Sequence, residues 1–214
     1  MTSHRERQFH RIVFALSLFA PFTALFPSAA RAAETKADNP ELQQIYDADQ
    51  KDREASPGKT LQLDWAAIGP RDSARRKRVR ELIDQGSLNT GKDYERAAMV
   101  FQHGDGADDI LMAHVLAVTA VGKGDLAARW LAAAALDRFL HRVGQPQVFG
   151  TQFLFKAENG QATWTMEPYN RTLIGPNLRD ANCVPDQENQ AESLSAISKG
   201  EDPKPPKNRP CVDH

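Results

Sequence analysis

The run from Lys92 to Val143 decides the fold: KDYERAAMVFQH (92–103), GDG (104–106), ADDILMAHVLAVTAV (107–121), GKG (122–124) and DLAARWLAAAALDRFLHRV (125–143). Apolar residues recur at helical spacing in each long piece, and each break is a glycine turn. The spacing predicts helices over Lys92 to His103, over Asp108 to Val121, and from a cap at Asp125 to about Val143. Their core sides read as Tyr94, Ala97, Ala98 and Phe101 in the first and Leu111, Val115 and Val118 in the second. In the third they read as Leu126, Trp130, Ala133 and Leu140. Short glycine turns make the three helices antiparallel neighbours, and the alanines between Leu126 and Leu136 let backbones approach closely.

Upstream, Asn39-Pro40 is a helix start, with Asn as N-cap and Pro in the first helical position. That helix runs to about Glu54, places Leu42, Ile45, Tyr46 and Asp49 on one stripe, and stops at Ser56-Pro57-Gly58. Leu61 to Pro70, with Trp65, reads as irregular. A helix over Asp72 to Gln85 follows, with Val79, Leu82 and Ile83 as its apolar face and Gly86 as its stop. Downstream of Gly144, Gln147 to Lys156 alternates, Ala157 to Gly160 carries the Asn-Gly turn signal, and Gln161 to Met166 returns with Trp164. A lone hairpin is marginal in water, so this one must lie on the helices or meet another strand. The fold class is therefore mainly α: an antiparallel helical bundle with one C-terminal β-hairpin and a loop-rich tail. Its divisions are a leader over 1–32, a linker over 33–39, a helical domain over 40–180 with the hairpin at about 147–166, and a mostly irregular tail over 181–214.

The leader reads as a secretory signal peptide. Arg5, Arg7 and Arg11 precede an apolar run from Ile12 to Phe26, and Ala30 and Ala32 supply the small side chains before a cut after Ala32. A spanning helix needs roughly 20 apolar residues, and this run is shorter and contains Pro21. The expected location is therefore periplasmic or secreted, with no membrane span after cleavage. The whole chain has a net charge of −1, and the leader holds Arg5, Arg7, Arg11, Arg31 and Glu6, so the remaining 182 residues carry −4. Such a protein is not a general nucleic-acid or anionic-membrane binder. The one basic run, Arg71 to Arg80, is followed at once by Glu81 and Asp84 and reads as a solvated helix face. Cys183 and Cys211 are the only cysteines, and in an oxidising compartment they are expected to pair, stapling the Pro-rich stretch Lys204 to Pro210 to the domain.

Polar residues stand where apolar ones belong. Asp137 falls on the core stripe of its helix, and a buried carboxylate must be paired. Folding the helices about their turns gathers Gln102, His103, Asp105, Asp108, Asp109 and Asp137 toward one end of the bundle, with His141 one turn beyond Asp137. His114 reads as a satisfied core histidine. Three uses fit the cluster. It is a hydrogen-bonded network fixing the helix-to-hairpin junction, or a ligand site, or a divalent-metal or acid–base site with His103, Asp105, Asp137 and His141 as metal ligands, or with His103 as a base oriented by Asp137. No cofactor is expected beyond such a metal. No serine elbow, phosphate loop or His-Glu-x-x-His is present.

Asp49-Gln50-x-x-Arg53, Gln102-His103-x-Asp105, Leu136-Asp137-Arg138 and Gly144-Gln145-Pro146-Gln147-Val148-Phe149-Gly150-Thr151-Gln152 together resemble the signature of a bacterial family of uncharacterised proteins, a domain of unknown function. The likeness spans about residues 40–155. It departs at Gly86-Ser87-Leu88, where the family pattern has a Gly-Trp-Pro-like turn. The resemblance implies no activity, but it singles out Asp49, Arg53, Gln102, His103, Asp105, Asp137, Arg138, Gln147 and Gln152. The helical run also loosely resembles tetratricopeptide-type helix pairs, without a clear second copy. The expected function is non-enzymatic: a periplasmic binding or interaction protein whose polar end, with Asp49, Arg53, Gln102, Arg138, Gln147 and Gln152 as contacts, holds a polar ligand or envelope protein. The alternatives are a metal-assisted or His/Asp-dependent hydrolase of an envelope polymer, with His103 and Asp137 catalytic, and a helical protein–protein scaffold.

Overall fold

A computed structural model describes residues 36–54, 63–158, 161–203 and 211. The expected leader, the expected helix stop at Ser56-Pro57-Gly58, the expected turn at Asn159-Gly160 and Lys204 to Pro210 lie outside the described residues. Asn39 caps helix α1 (Pro40–Lys51) by accepting from the Leu42 amide at 3.0 Å, and Pro40 occupies the first turn. Helix α2 (Trp65–Asp84) begins seven residues before the expected start at Asp72. The Asp64 side chain accepts from the Ala67 amide, and Ile68 is buried. Pro70 removes one intrahelical hydrogen bond, which this cap and this burial offset, so Trp65 to Pro70 is helix and not loop.

Helix α3 (Gly91–Gln102) opens with a capping box between Thr90 and Asp93. Asp93 is fully buried because it also accepts from the backbone N–H groups of Asn39 and Asn89, both at 2.8 Å, which ties the starts of α1 and α3 together. Helices α4 (Ala107–Gly122) and α5 (Arg129–Arg142) follow, the latter after a 3-10 turn at Leu126–Ala128. Asp125 makes no side-chain cap hydrogen bond there, contrary to its expected role. Neighbouring helices α3, α4 and α5 pack in chain order, with α1 and α2 laid on α3. Their core holds Leu42, Val79, Leu82, Ala97, Ala98, Phe101, Leu116, Ala117 and Leu131.

The inward face of α4 is a correction. Ile110, Ala113, Leu116, Ala117 and Ala120 are buried, while Leu111, Val115 and Val118 are exposed. Because α4 is apolar on every side, periodicity alone does not choose its core face, and close packing between α3 and α5 selects the face that carries Ala113, Ala117 and Ala120. The same preference puts Ala132, Ala133, Ala134 and Ala135 of α5 inside and leaves Leu126 and Trp130 largely exposed.

Strands β1 (Leu154–Glu158) and β2 (Gln161–Thr165) form the antiparallel hairpin, with Leu154 opposite Thr165 and Phe155 opposite Trp164. The rings of Phe155 and Trp164 meet edge to face at 5.3 Å. Residues Gln147 to Phe153, expected as the first half of a strand, instead turn around Asp137. The tail is less irregular than its composition suggests. Helix α6 (Pro176–Ala181) leads into it, and it contains α7 (Gln187–Ser198), which packs against β2. Asp186 caps α7 by accepting from the Asn189 amide at 2.8 Å. Polar contacts anchor this region: buried Arg179 donates to the Tyr169 hydroxyl at 2.8 Å and to Gln190 Oε1 at 2.6 Å, and Gln190 donates to the Phe149 carbonyl at 2.9 Å. Cys183 and Cys211 form the expected disulfide. Among the described residues no helix is long and apolar enough to cross a membrane.

Candidate functional site

Asp49, near the end of α1, is fully buried. Its carboxylate accepts from Gln50 Nε2 at 2.9 Å, from Arg53 Nη1 at 3.1 Å and from His103 Nδ1 at 2.9 Å. A carboxylate only accepts, so it fixes the proton on Nδ1 of the imidazole and leaves Nε2 as the free ring nitrogen. Arg53 also grips Asp72 of α2 with both terminal nitrogens, at 3.2 and 2.5 Å. Asp72 in turn accepts from Arg75 at 2.9 Å, and Arg75 reaches Asp52, which also accepts from Arg71. The basic run of α2 is thus exposed at Arg71 and Lys77, and its arginines also form ion pairs that clamp α1. Further along, Arg76 pairs with Asp109 at 3.2 Å and Asp105 at 3.5 Å, and Arg78 with Glu41 and Glu81.

Above these ion pairs opens a cleft of about 500 Å³ lined by Arg53, Trp65, Gly69, Asp72, His103 and Arg138, with Leu63 and Asp105 completing its rim. Trp65, Gly69 and Asp72 are spaced i, i+4, i+7 on α2 and so lie along one stripe of the helix. Arg138 comes from α5. It is partly buried, yet none of the described residues accepts a hydrogen bond from it or pairs with it. Burial pushes the Arg138 pKa down, and repulsion from Arg142 and Arg53 pushes the same way, with Asp105 opposing. Arginine keeps its charge at neutral pH regardless, so the cleft wall carries a guanidinium that makes no ion pair with any described residue.

Asp137, the residue before Arg138, points elsewhere. It is fully buried and accepts from the amides of Val148 (2.7 Å), Phe149 (2.9 Å) and Thr151 (2.9 Å) and from the Thr151 hydroxyl (2.8 Å). The loop around it is locked by Gln147, whose amide nitrogen donates to the Gln152 and Met166 carbonyls and whose Oε1 accepts from the Gln152 amide. Gln152 in turn donates to the Ala134 carbonyl at 3.1 Å. Gly150 has φ +70°, and a Cβ there would meet the Tyr169 ring at 2.8 Å, so both conformation and close approach demand glycine.

The expected cluster therefore divides in two. Arg53, His103, Asp105 and Arg138 line the cleft, and Asp49 is buried behind Arg53 and His103. Asp137, Gln147 and Gln152 form the hydrogen-bonded junction between helix and hairpin, and their polar atoms are taken up there. His103 is oriented by Asp49 and not by Asp137, because α1 lies across the end of α3. His141 is exposed, and among the described residues no group of three or more His, Cys, Asp or Glu side chains is placed to hold a metal ion. Gln102 is buried, its Oε1 has no hydrogen-bond partner among the described residues, and it does not line the cleft. His114 bonds the Ala132 carbonyl at 2.9 Å. Sequence reasoning missed Trp65, Gly69 and Asp72 as lining residues. The signal for them was Asp64 as an N-cap, which would have extended α2 back to Trp65.

No family model matches the chain, and no curated protein or solved structure is significantly similar to it.

Proposed function

We propose that this chain is an exported binding protein whose cleft takes an anionic ligand onto Arg138. One observation carries the reading: a partly buried guanidinium lines the cleft, has no acceptor among the described residues, and sits beside further positive charge. Such a group is costly to fold around unless a partner of opposite sign completes it. Arg53 is pre-positioned by Asp49 and Asp72, so the wall is rigid before the ligand arrives. Export is supported by the charged, apolar and small-residue leader and by the Cys183–Cys211 disulfide, which persists in oxidising compartments. The test is thermal unfolding of the purified protein across a set of organic and inorganic anions and neutral analogues. Anions raise the Tm of the wild type and leave Arg138→Gln unmoved; equal shifts in both proteins contradict the reading.

The His103–Asp49 pair supports a second reading, a His/Asp-dependent hydrolase. Asp49 holds Nδ1, and the free Nε2 belongs to a residue that lines the cleft, an arrangement suited to a general base acting on water. His103→Asn separates the two readings. It keeps anion binding within a few-fold if the cleft only binds, and it abolishes turnover of the bound ligand if His103 is the base.

A further inference from the structure

We infer that the ligand of this cleft is a monocarboxylate carried on a sugar-type ring, with its carboxylate on Arg138 and its ring against Trp65. The inference rests on the anion-binding reading and narrows it.

Charge compensation sets the first limit. Arg53 already faces the carboxylates of Asp49 and Asp72, and Arg76 those of Asp105 and Asp109. Of the two arginines that line the cleft, only Arg138 makes no ion pair with a described residue. One uncompensated charge matches one carboxylate, whose two oxygens fit the planar fork of a guanidinium. A phosphate monoester carries close to two negative charges at neutral pH and brings the surplus beside Asp72 and Asp105.

The shape of the floor sets the second. Trp65 is 52% exposed and lines the cleft, so its indole offers apolar surface to whatever enters. One turn on, Gly69 leaves open space, since a Cβ there would meet nothing within 4 Å. An apolar platform, a gap of one missing side chain and then the Asp72 carboxylate follow one another along the same helical stripe. A pyranose fits that order. Its C–H face lies on the indole, and its hydroxyls reach acceptors such as the free His103 nitrogen and Asp72. The volume lies in the range of small-molecule sites.

The test titrates the purified protein with glucuronate, glucose, glucose 6-phosphate and acetate by calorimetry and by tryptophan fluorescence. Arg138→Gln and Trp65→Phe are titrated beside the wild type. Glucuronate is expected to bind about tenfold or more tighter than each of the others, and to lose about that factor in Arg138→Gln. The fluorescence response disappears in Trp65→Phe, although Trp130 and Trp164 remain. If glucose 6-phosphate binds tighter than glucuronate and loses its affinity in Arg138→Gln, the anion cleft stands and the carboxylate inference falls. If acetate binds as well as glucuronate, the ring contact falls. If no anion distinguishes the wild type from Arg138→Gln, the anion-binding reading fails as well.

Discussion

His103 Nδ1 lies 2.9 Å from Oδ2 of Asp49, a residue 54 positions earlier in the chain. This bond joins the C-terminal end of α3 to the end of α1 and sets one corner of the cleft. Asp49 has no access to solvent, so its charge is held entirely by Arg53, His103 and Gln50. Asp49→Ala leaves Arg53 short of a partner and is expected to cost about 3–5 kcal/mol of stability. His103→Asn removes one partner from an otherwise held carboxylate and costs about 1 kcal/mol. Urea unfolding of both variants checks the order. A larger loss in His103→Asn contradicts it.

Asp137 governs a different region. Its four acceptor contacts organise residues 148–151, so Asp137→Ala strands three amides and is expected to cost about 3 kcal/mol or more. Hydrogen exchange locates the effect: the amides of Val148, Phe149 and Thr151 lose protection, while those of α1 keep theirs relative to global unfolding. Anion binding at the cleft survives at temperatures where the variant is folded.

These two aspartates show how far the sequence carries. Caps and glycine turns made α1, α3, α4 and α5 legible, because each is a local signal of strong backbone preference. Asp137 was legible as a buried carboxylate from its place on an apolar stripe. Its partner was not, because the partner is the backbone of a loop that looked like a strand. The pairing of His103 was hidden for another reason. Levels estimated from the α3–α4 and α4–α5 turns say nothing of α1, which crosses from outside that run. The exposed side of α4 was misread because Leu111 and Ile110 are equally apolar and only packing against Ala-rich α5 separates them. The helix α7 was hidden by its few apolar residues, although the Asp186 cap was in plain view.

Acid weakens the α1–α2 clamp in a defined window. Hydrogen bonding from Arg71, opposed by burial and reinforced by Arg75, holds Asp52 at about 2, below its ordinary value of 3.8. A carboxylate whose folded pKa is depressed stabilises the fold above its unfolded pKa and loses that contribution as pH falls through the folded one. The wild type is therefore more stable than Asp52→Asn above about pH 4, and the gap closes toward about pH 2. Solvent screening keeps the gap modest. Urea midpoints of the two proteins between those pH values measure it, and a gap that stays constant counts against the clamp.

Reduction of the Cys183–Cys211 bond, whose partners are 28 positions apart, releases a closed loop and is expected to cost about 3–4 kcal/mol. For a chain of this size that is a fall of about 10 °C in Tm, read by calorimetry with and without reductant. The Cys183→Ser/Cys211→Ser variant shows the same fall without reductant and binds anions as the wild type does, because neither cysteine lines the cleft.

If Arg138 is held for a ligand and not for the fold, the unfolding free energy of Arg138→Gln in anion-poor buffer shows it most directly. Arg138 has no acceptor among the described residues, and burial with repulsion from Arg142 and Arg53 outweighs its attraction to Asp105 in the empty protein. The variant is therefore predicted to be as stable as the wild type or more stable, while losing the anion-dependent rise in Tm. A loss of about 2 kcal/mol or more in the variant, with the anion response intact, would mean that Arg138 serves the fold, and it would contradict the binding account at its centre.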